Sequence, residues 1–493
     1  MAPYHLLAMS VVERVERVTK GRWVPTRPRR LVWWAAGVFA LLYGTAMVWQ
    51  YSNFGIHAFD FGIFDQGLWL LSRFEEPFVT VRGLHLFADH SSYIMFLLVP
   101  LYWVLPFQEA LLVFTVVVVA AGGPVTYAIA RRAGATTWLA GVAALLYLLH
   151  PAVAWLAYDN FHPELLVVPL ALGGFLAIQG NRQLLGLALF GLALTAKEDV
   201  ALLVVPLGLY LLFFTGKRVA GGVLALMGLG ALVLNFAVLL PHFSPGGQLL
   251  YSGRYGHLGE GVLGVFAGLF TKSEVVWAAV SAPKSLIYLI SLLGPIPLAL
   301  LAPRILPVAI PAFLANVLSA HGYQAEIRWH YTTSIVIVLA IAAALGAARV
   351  SRWSPRTSQT VAWSVLTVGL LTQVTMAPNP LTRPTWYTAP SVHTTNMHRA
   401  VALIPEDAVV SAMDTFVPHL THRRVVFEFP NPWQRHNYST REAILPDPGI
   451  VEWVVVRVDM YDDMVSVIER LRASDEFEIV LEEPPVLLMR RIP

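Results

Sequence analysis

The chain contains no cysteine, so disulfides, thiolate metal sites and cysteine nucleophiles are excluded. Charge is scarce as well. Only 13% of the 493 residues are Asp, Glu, Lys or Arg, about half the share of an ordinary soluble domain. The net charge of +3 is too small to mark a nucleic-acid partner, and none is expected. No internal repeat or low-complexity segment is evident. What fills the chain instead is apolar: 56% of residues are hydrophobic and the mean hydropathy is +0.61. Several uninterrupted apolar stretches reach the roughly 18 residues that read as a transmembrane helix. Alternating β-barrel strands do not produce such runs, so the fold class is an α-helical polytopic membrane protein.

Basic residues near span ends mark the cytoplasmic side. The N-terminal arm, 1–30, is rich in Arg and Lys, is not read as a cleavable signal, and is expected inside. Eleven spans are expected, at about 31–50, 107–130, 138–157, 163–180, 183–197, 199–215, 219–240, 283–302, 304–320, 332–347 and 360–376. With these, Arg131–Arg132, Lys217–Arg218, Arg304 and "ARVSRWSPR" all fall inside. The count requires that "SSYIMFLLVPLYWVLP", 91–106, not cross, in keeping with its two prolines and short length. The first outer loop, 51–106, then carries amphipathic juxtamembrane helices. The loops at 241–275 and 321–331 and the region from 377 share its side.

The transmembrane domain is thus expected over 31–376, followed by an extracytoplasmic α/β domain over 377–493. Strand-like runs lie at 408–412, 423–429, 452–458 and 477–483, with an amphipathic helix at 461–474. The proline-rich "MAPNPLTRPTW", 376–386, reads as the linker.

Polar residues collect at one mouth of the bundle. "HAFDFGIFDQGLWLLSRF" reads as an interfacial helix on which Asp60 and Phe64 share one face and Asp65 and Trp69 another. Its aspartates either solvate or cap that helix, or serve chemistry. "LHLFADHSSYI" brings Asp89 and His90, a pair that spacing alone leaves open between metal ligand, general base and polar turn. "YDNFHPELL" sets His162 and Glu164 at the start of a span, where an acid is expensive. "TAKEDVALL" interrupts about 30 apolar residues with Lys197, Glu198 and Asp199, without the Gly, Asn or Pro of an ordinary turn. Arg254 in "YSGRYGH" and Arg328 and His330 in "EIRWHYTTS" complete the set. Acids and cations around one membrane-level mouth suit phosphate-bearing lipid chemistry.

These stretches, with "IPEDAVVSAMDTFVPHLTHRRVVFEFP", resemble the DUF2079 family of membrane proteins over essentially the whole chain. That family is similar to the GT-C glycosyltransferases, which take sugars from polyprenyl-phosphate carriers. The resemblance implies inverting transfer of a hexosyl or pentosyl group to an extracytoplasmic acceptor, be it a cell-envelope glycan, a lipid or a protein. It makes Asp60 the principal catalytic carboxylate and Asp65 a supporting one. Lys197, Arg254 and Arg328 become donor-phosphate ligands. Asp89, His90, His162, Glu164, Glu198, Asp199 and His330 become supporting polar groups or ligands of a divalent cation, Mg2+ or Mn2+. A single Asp at 60, in place of an adjacent acid pair, leaves that cation open. The lipid bilayer of the plasma membrane is the expected location. A transporter or lipid flippase, and an inactive GT-C-like scaffold, stand as the alternatives.

Overall fold

The structure, a computed structural model, describes residues 28–383, 391–441, 443–459 and 464–493. Most of the basic arm (1–27), the end of the linker (384–386) and the first residues of the amphipathic helix (461–463) lie outside the described residues.

The first helix, α1 (Pro28–Ser52), packs on the long helix α3 (Gln108–Arg132). Between them, α2 (Ile63–Ser72) and a two-stranded hairpin of β1 (Phe78–Val79) and β2 (Leu84–His85) occupy the loop. The segment Tyr93–Val104 is helical over 12 residues, or about 18 Å at the α-helical rise and less than a hydrocarbon core. α4 (Thr137–Leu148) and α5 (Pro151–Tyr158) are bent by 50° against each other. Pro151 offers no N–H to continue the helix, and His150 caps the new start through the Ala152 amide at 3.1 Å.

Antiparallel neighbours follow as α6 (Val167–Gln179) with α7 (Gln183–Ala193), and α8 (Ala201–Phe214) with α9 (Arg218–Leu234). Glycines let the second pair touch: a Cβ at Gly208 would stand 2.8 Å from the Gly221 carbonyl oxygen. Next come α10 (Gly261–Thr271), α11 (Ser273–Ser281), α12 (Pro283–Leu293) and α13 (Ile310–Val317). The central helix α14 (Thr333–Val350) is buried along most of its length against α3, α4 and α6, and α15 (Pro355–Met376) follows.

Among the described residues, four helices are long and apolar enough to cross a membrane, or six if each bent pair is one span. Most of the other segments expected to cross are helical but run only 10–17 residues. The expected loop at 241–275 differs more. Its second half is α10, and α10 and α11 form an apolar pair bent by 79°.

The C-terminal part holds a five-stranded mixed sheet in the order β4-β3-β5-β7-β6. Its strands are β3 (Val410–Ala412), β4 (Val426–Glu428), β5 (Trp453–Arg457), β6 (Phe477–Glu483) and β7 (Val486–Arg491). β3 runs parallel to β4 and β5, whereas β7 pairs antiparallel with β5 and β6. The helices α16 (Val392–Leu403) and α17 (Val465–Arg472) accompany the sheet.

The sheet region rests on the loop after α1. Arg424 of the sheet region makes a two-pronged contact to Glu75 at 2.9 Å. Thr80 exchanges hydrogen bonds with the Val426 backbone at 2.8 and 2.9 Å. This cover changes the reading of α2. It is a buried helix, with Asp65 and Gln66 fully enclosed, and not an amphipathic helix on a membrane surface.

Candidate active site

Asp60 sits outside α2, on a turn. Phe59 is extended, and Asp60 takes φ 67°, ψ −79°, near the γ-turn region that is rare and strained for a residue with a Cβ. Asp60 therefore neither caps α2 nor shares a face with Phe64; the helix begins at Ile63 after Gly62, with no side-chain cap. The turn is clamped from the C-terminal part. Asp414 accepts a hydrogen bond from the Ala58 amide at 2.8 Å and lies 2.6 Å from His57 Nδ1. Gly62 packs closely here: a Cβ would come within 3.2 Å of the Val417 side chain.

The half-buried Asp60 carboxylate has no hydrogen bond or ion pair among the described residues. Desolvation in the bundle mouth pushes its carboxyl above the ordinary carboxylate range. His162 opposes this, Asp89 and Glu164 reinforce it, and Lys197 opposes it.

Around Asp60 the structure gathers the charges that interrupt the apolar runs. Lys197, buried at the turn before α8, donates to Glu164 Oε1 at 2.7 Å and lies 3.9 Å from Asp199. His90 Nδ1 stands 2.8 Å from Glu198 Oε1, and the Ser91 amide donates to the other Glu198 oxygen at 3.2 Å. Asp89 accepts from the Tyr251 hydroxyl and lies 3.8 Å from Arg82 Nε. His330 Nε2 is 3.6 Å from Glu164 Oε1. Asp89, His90 and Glu198 are thus committed to partners, which argues against their holding a cation. Asp199 keeps its side chain 44% exposed, leaving it accessible at the rim.

The cations differ in how free they are. Lys197 is tied to Glu164. Arg254 lies over the rings of Tyr251 and Tyr331, at 4.2 and 5.9 Å, with no carboxylate partner among the described residues. Its Nε is buried and unpaired. Arg328 is exposed, 4.8 Å over the Trp329 ring and 5.6 Å over Trp155. A guanidinium stacked on aromatics and lacking a counter-ion is available to a phosphate.

Asp65 does not join this group. It is wholly buried, accepts from the hydroxyls of Tyr102 and Thr421, and lies 3.3 Å from His422 Nε2. These contacts tie α2 to the C-terminal part that covers it. Two further residues at the mouth, Asp159 and Tyr251, were not singled out from the sequence. Asp159 had a signal available, the spacing Asp-x-x-His ahead of His162.

No protein of curated function matches the chain in sequence. Among solved structures, ArnT from Cupriavidus metallidurans bound to undecaprenyl phosphate shares the fold with a TM-score of 0.50 at 14% identity. The match covers 92% of this chain and 98% of that one. The helical part of the chain thus has an ArnT-like fold. The family model described as a predicted membrane protein, DUF2079, matches residues 50–472. With its buried charges at the mouth of an apolar helical bundle, the chain belongs to the DUF2079 family of membrane proteins.

Proposed function

We propose that the chain is a membrane glycosyltransferase. It would move a sugar from a polyprenyl-phosphate donor to an extracytoplasmic acceptor, with inversion at the anomeric carbon. The observation that carries this reading is Asp60, a carboxylate on a strained turn, unpartnered among the described residues and within electrostatic reach of the Glu164–Lys197 pair. The similarity to a protein bound to undecaprenyl phosphate supports the donor class.

In this reading the acceptor hydroxyl attacks the anomeric carbon and gives its proton to the Asp60 carboxylate. The bond from that carbon to the phosphate oxygen breaks, and the polyprenyl phosphate leaves with the electron pair. Desolvation makes Asp60 a stronger base than an exposed aspartate. Arg254, half-buried over Tyr251 and without a carboxylate partner among the described residues, takes the phosphate first. Lys197 contributes through protons not given to Glu164, and Arg328 guards the outer rim.

Transport finds less support. Arg304, Arg349 and Arg352, at the far end of α14, line a cavity of about 280 Å3, none of whose lining residues belongs to the polar cluster.

Mass spectrometry of lipids that co-purify with the protein tests the donor class. A polyprenyl-phosphate sugar is expected, at lower occupancy in Arg254→Ala. Enrichment of phospholipids alone would contradict the reading.

A further inference from the structure

Three buried atoms at the mouth have no hydrogen-bond partner, and each is a good metal ligand: Asp159 Oδ2, His162 Nε2 and His330 Nδ1. The ligand atoms that these three residues offer all lie within 4.8 Å of one another. Asp159 Oδ2 is 4.0 Å from His330 Nδ1, and the two imidazole centroids are 3.7 Å apart. Asp159 and His162 reach one point because Asn160 between them takes φ 67°, a left-handed conformation that asparagine tolerates. His330 arrives from elsewhere in the chain, just ahead of α14.

Leaving three such buried atoms unpaired is unfavourable, and one cation satisfies all three. Two imidazoles and one carboxylate are not the all-oxygen shell that Mg2+ prefers; they match Zn2+ with its fourth position open. Ligand atoms around tetrahedral Zn2+ stand about 3.3 Å apart, so drawing in three atoms that lie within 4.8 Å of one another takes shifts of at most about 1.5 Å. On the far side of His330, Nε2 lies 3.6 Å from Glu164, itself held by Lys197. A carboxylate behind a ligating imidazole is the usual support of such sites.

We propose that Asp159, His162 and His330 bind a divalent transition metal ion of the Zn2+ class, pinning the segment after α5 to the start of α14 beside Asp60. The site stands independently of the glycosyl-transfer reading, because metal content is measured without donor or acceptor. Full-length protein carrying a histidine-free affinity tag is incubated in detergent with ZnCl2, desalted and analysed for metals by plasma mass spectrometry. About one Zn2+ per chain is expected, and more than about tenfold less in Asp159→Asn/His330→Gln. Unfolding of the wild type gives a readout that depends on no variant's folding. Its Tm falls with 1,10-phenanthroline and returns when Zn2+ is restored. Zn2+ no higher than in the double variant, retention of Mg2+ alone, or a Tm indifferent to chelation each overturns the assignment.

Discussion

The Lys197 ammonium donates a 2.7 Å hydrogen bond to Glu164, and both side chains are buried where apolar helices meet. Removing one partner strands the other charge, so Glu164→Gln and Lys197→Met each cost roughly 3–5 kcal/mol. The double variant removes both charges and recovers much of that loss. Chemical unfolding in detergent checks the cycle; additive single losses would mean that the two groups do not stabilise each other.

Asp65 bridges Tyr102 and Thr421, and so joins the first loop to the C-terminal part. Asp65→Ala leaves two hydroxyls without their charged acceptor and is expected to cost roughly 2–4 kcal/mol. Limited proteolysis reads this as earlier cleavage between the two parts. Wild-type protease resistance would remove the bridging role.

Gly346 on α14 faces the 297–301 turn so closely that a Cβ would stand 1.9 Å from the Leu298 carbonyl oxygen. Gly346→Ala must push backbone from backbone and is expected to cost at least about 1–3 kcal/mol. Gly222→Ala meets nothing within 4 Å and serves as the control. Equal Tm values for the two variants would contradict this packing.

Glu428 at the end of β4 is 3% exposed. Burial, and then Asp414, raise its carboxyl to about 8. A carboxyl that holds its proton more tightly when folded adds stability below its unfolded pKa, and that stability is lost as pH rises through the folded value. The wild-type Tm is therefore expected to fall between about pH 5 and pH 8, and Glu428→Gln to flatten the decline. A decline identical in both proteins would place the titrating group elsewhere.

How much of this was legible depended on whether the signal was local. Glu164 and Lys197 stood out because each interrupts an apolar run, and the structure pairs them. β6 was legible to the residue as 477–483. β7 was not, since Val486–Arg491 is nearly all buried at its start and lacks alternation. Asp60 and Asp65 looked alike in sequence. Their different surroundings depend on distant residues: Asp414 clamps the Asp60 turn through Ala58, and Thr421 donates to Asp65, each 356 residues from its partner. The span count was obscured because several helices stop short of a full membrane width and bend at proline or loop residues.

The account depends most on Asp60. Wild-type membranes supplied with a radiolabelled polyprenyl-phosphate sugar and cell-envelope acceptor are expected to transfer label. Asp60→Asn should lower the rate by about 10²–10⁴-fold, with expression, Tm and donor co-purification unchanged. Transfer by Asp60→Asn at the wild-type rate would contradict the account.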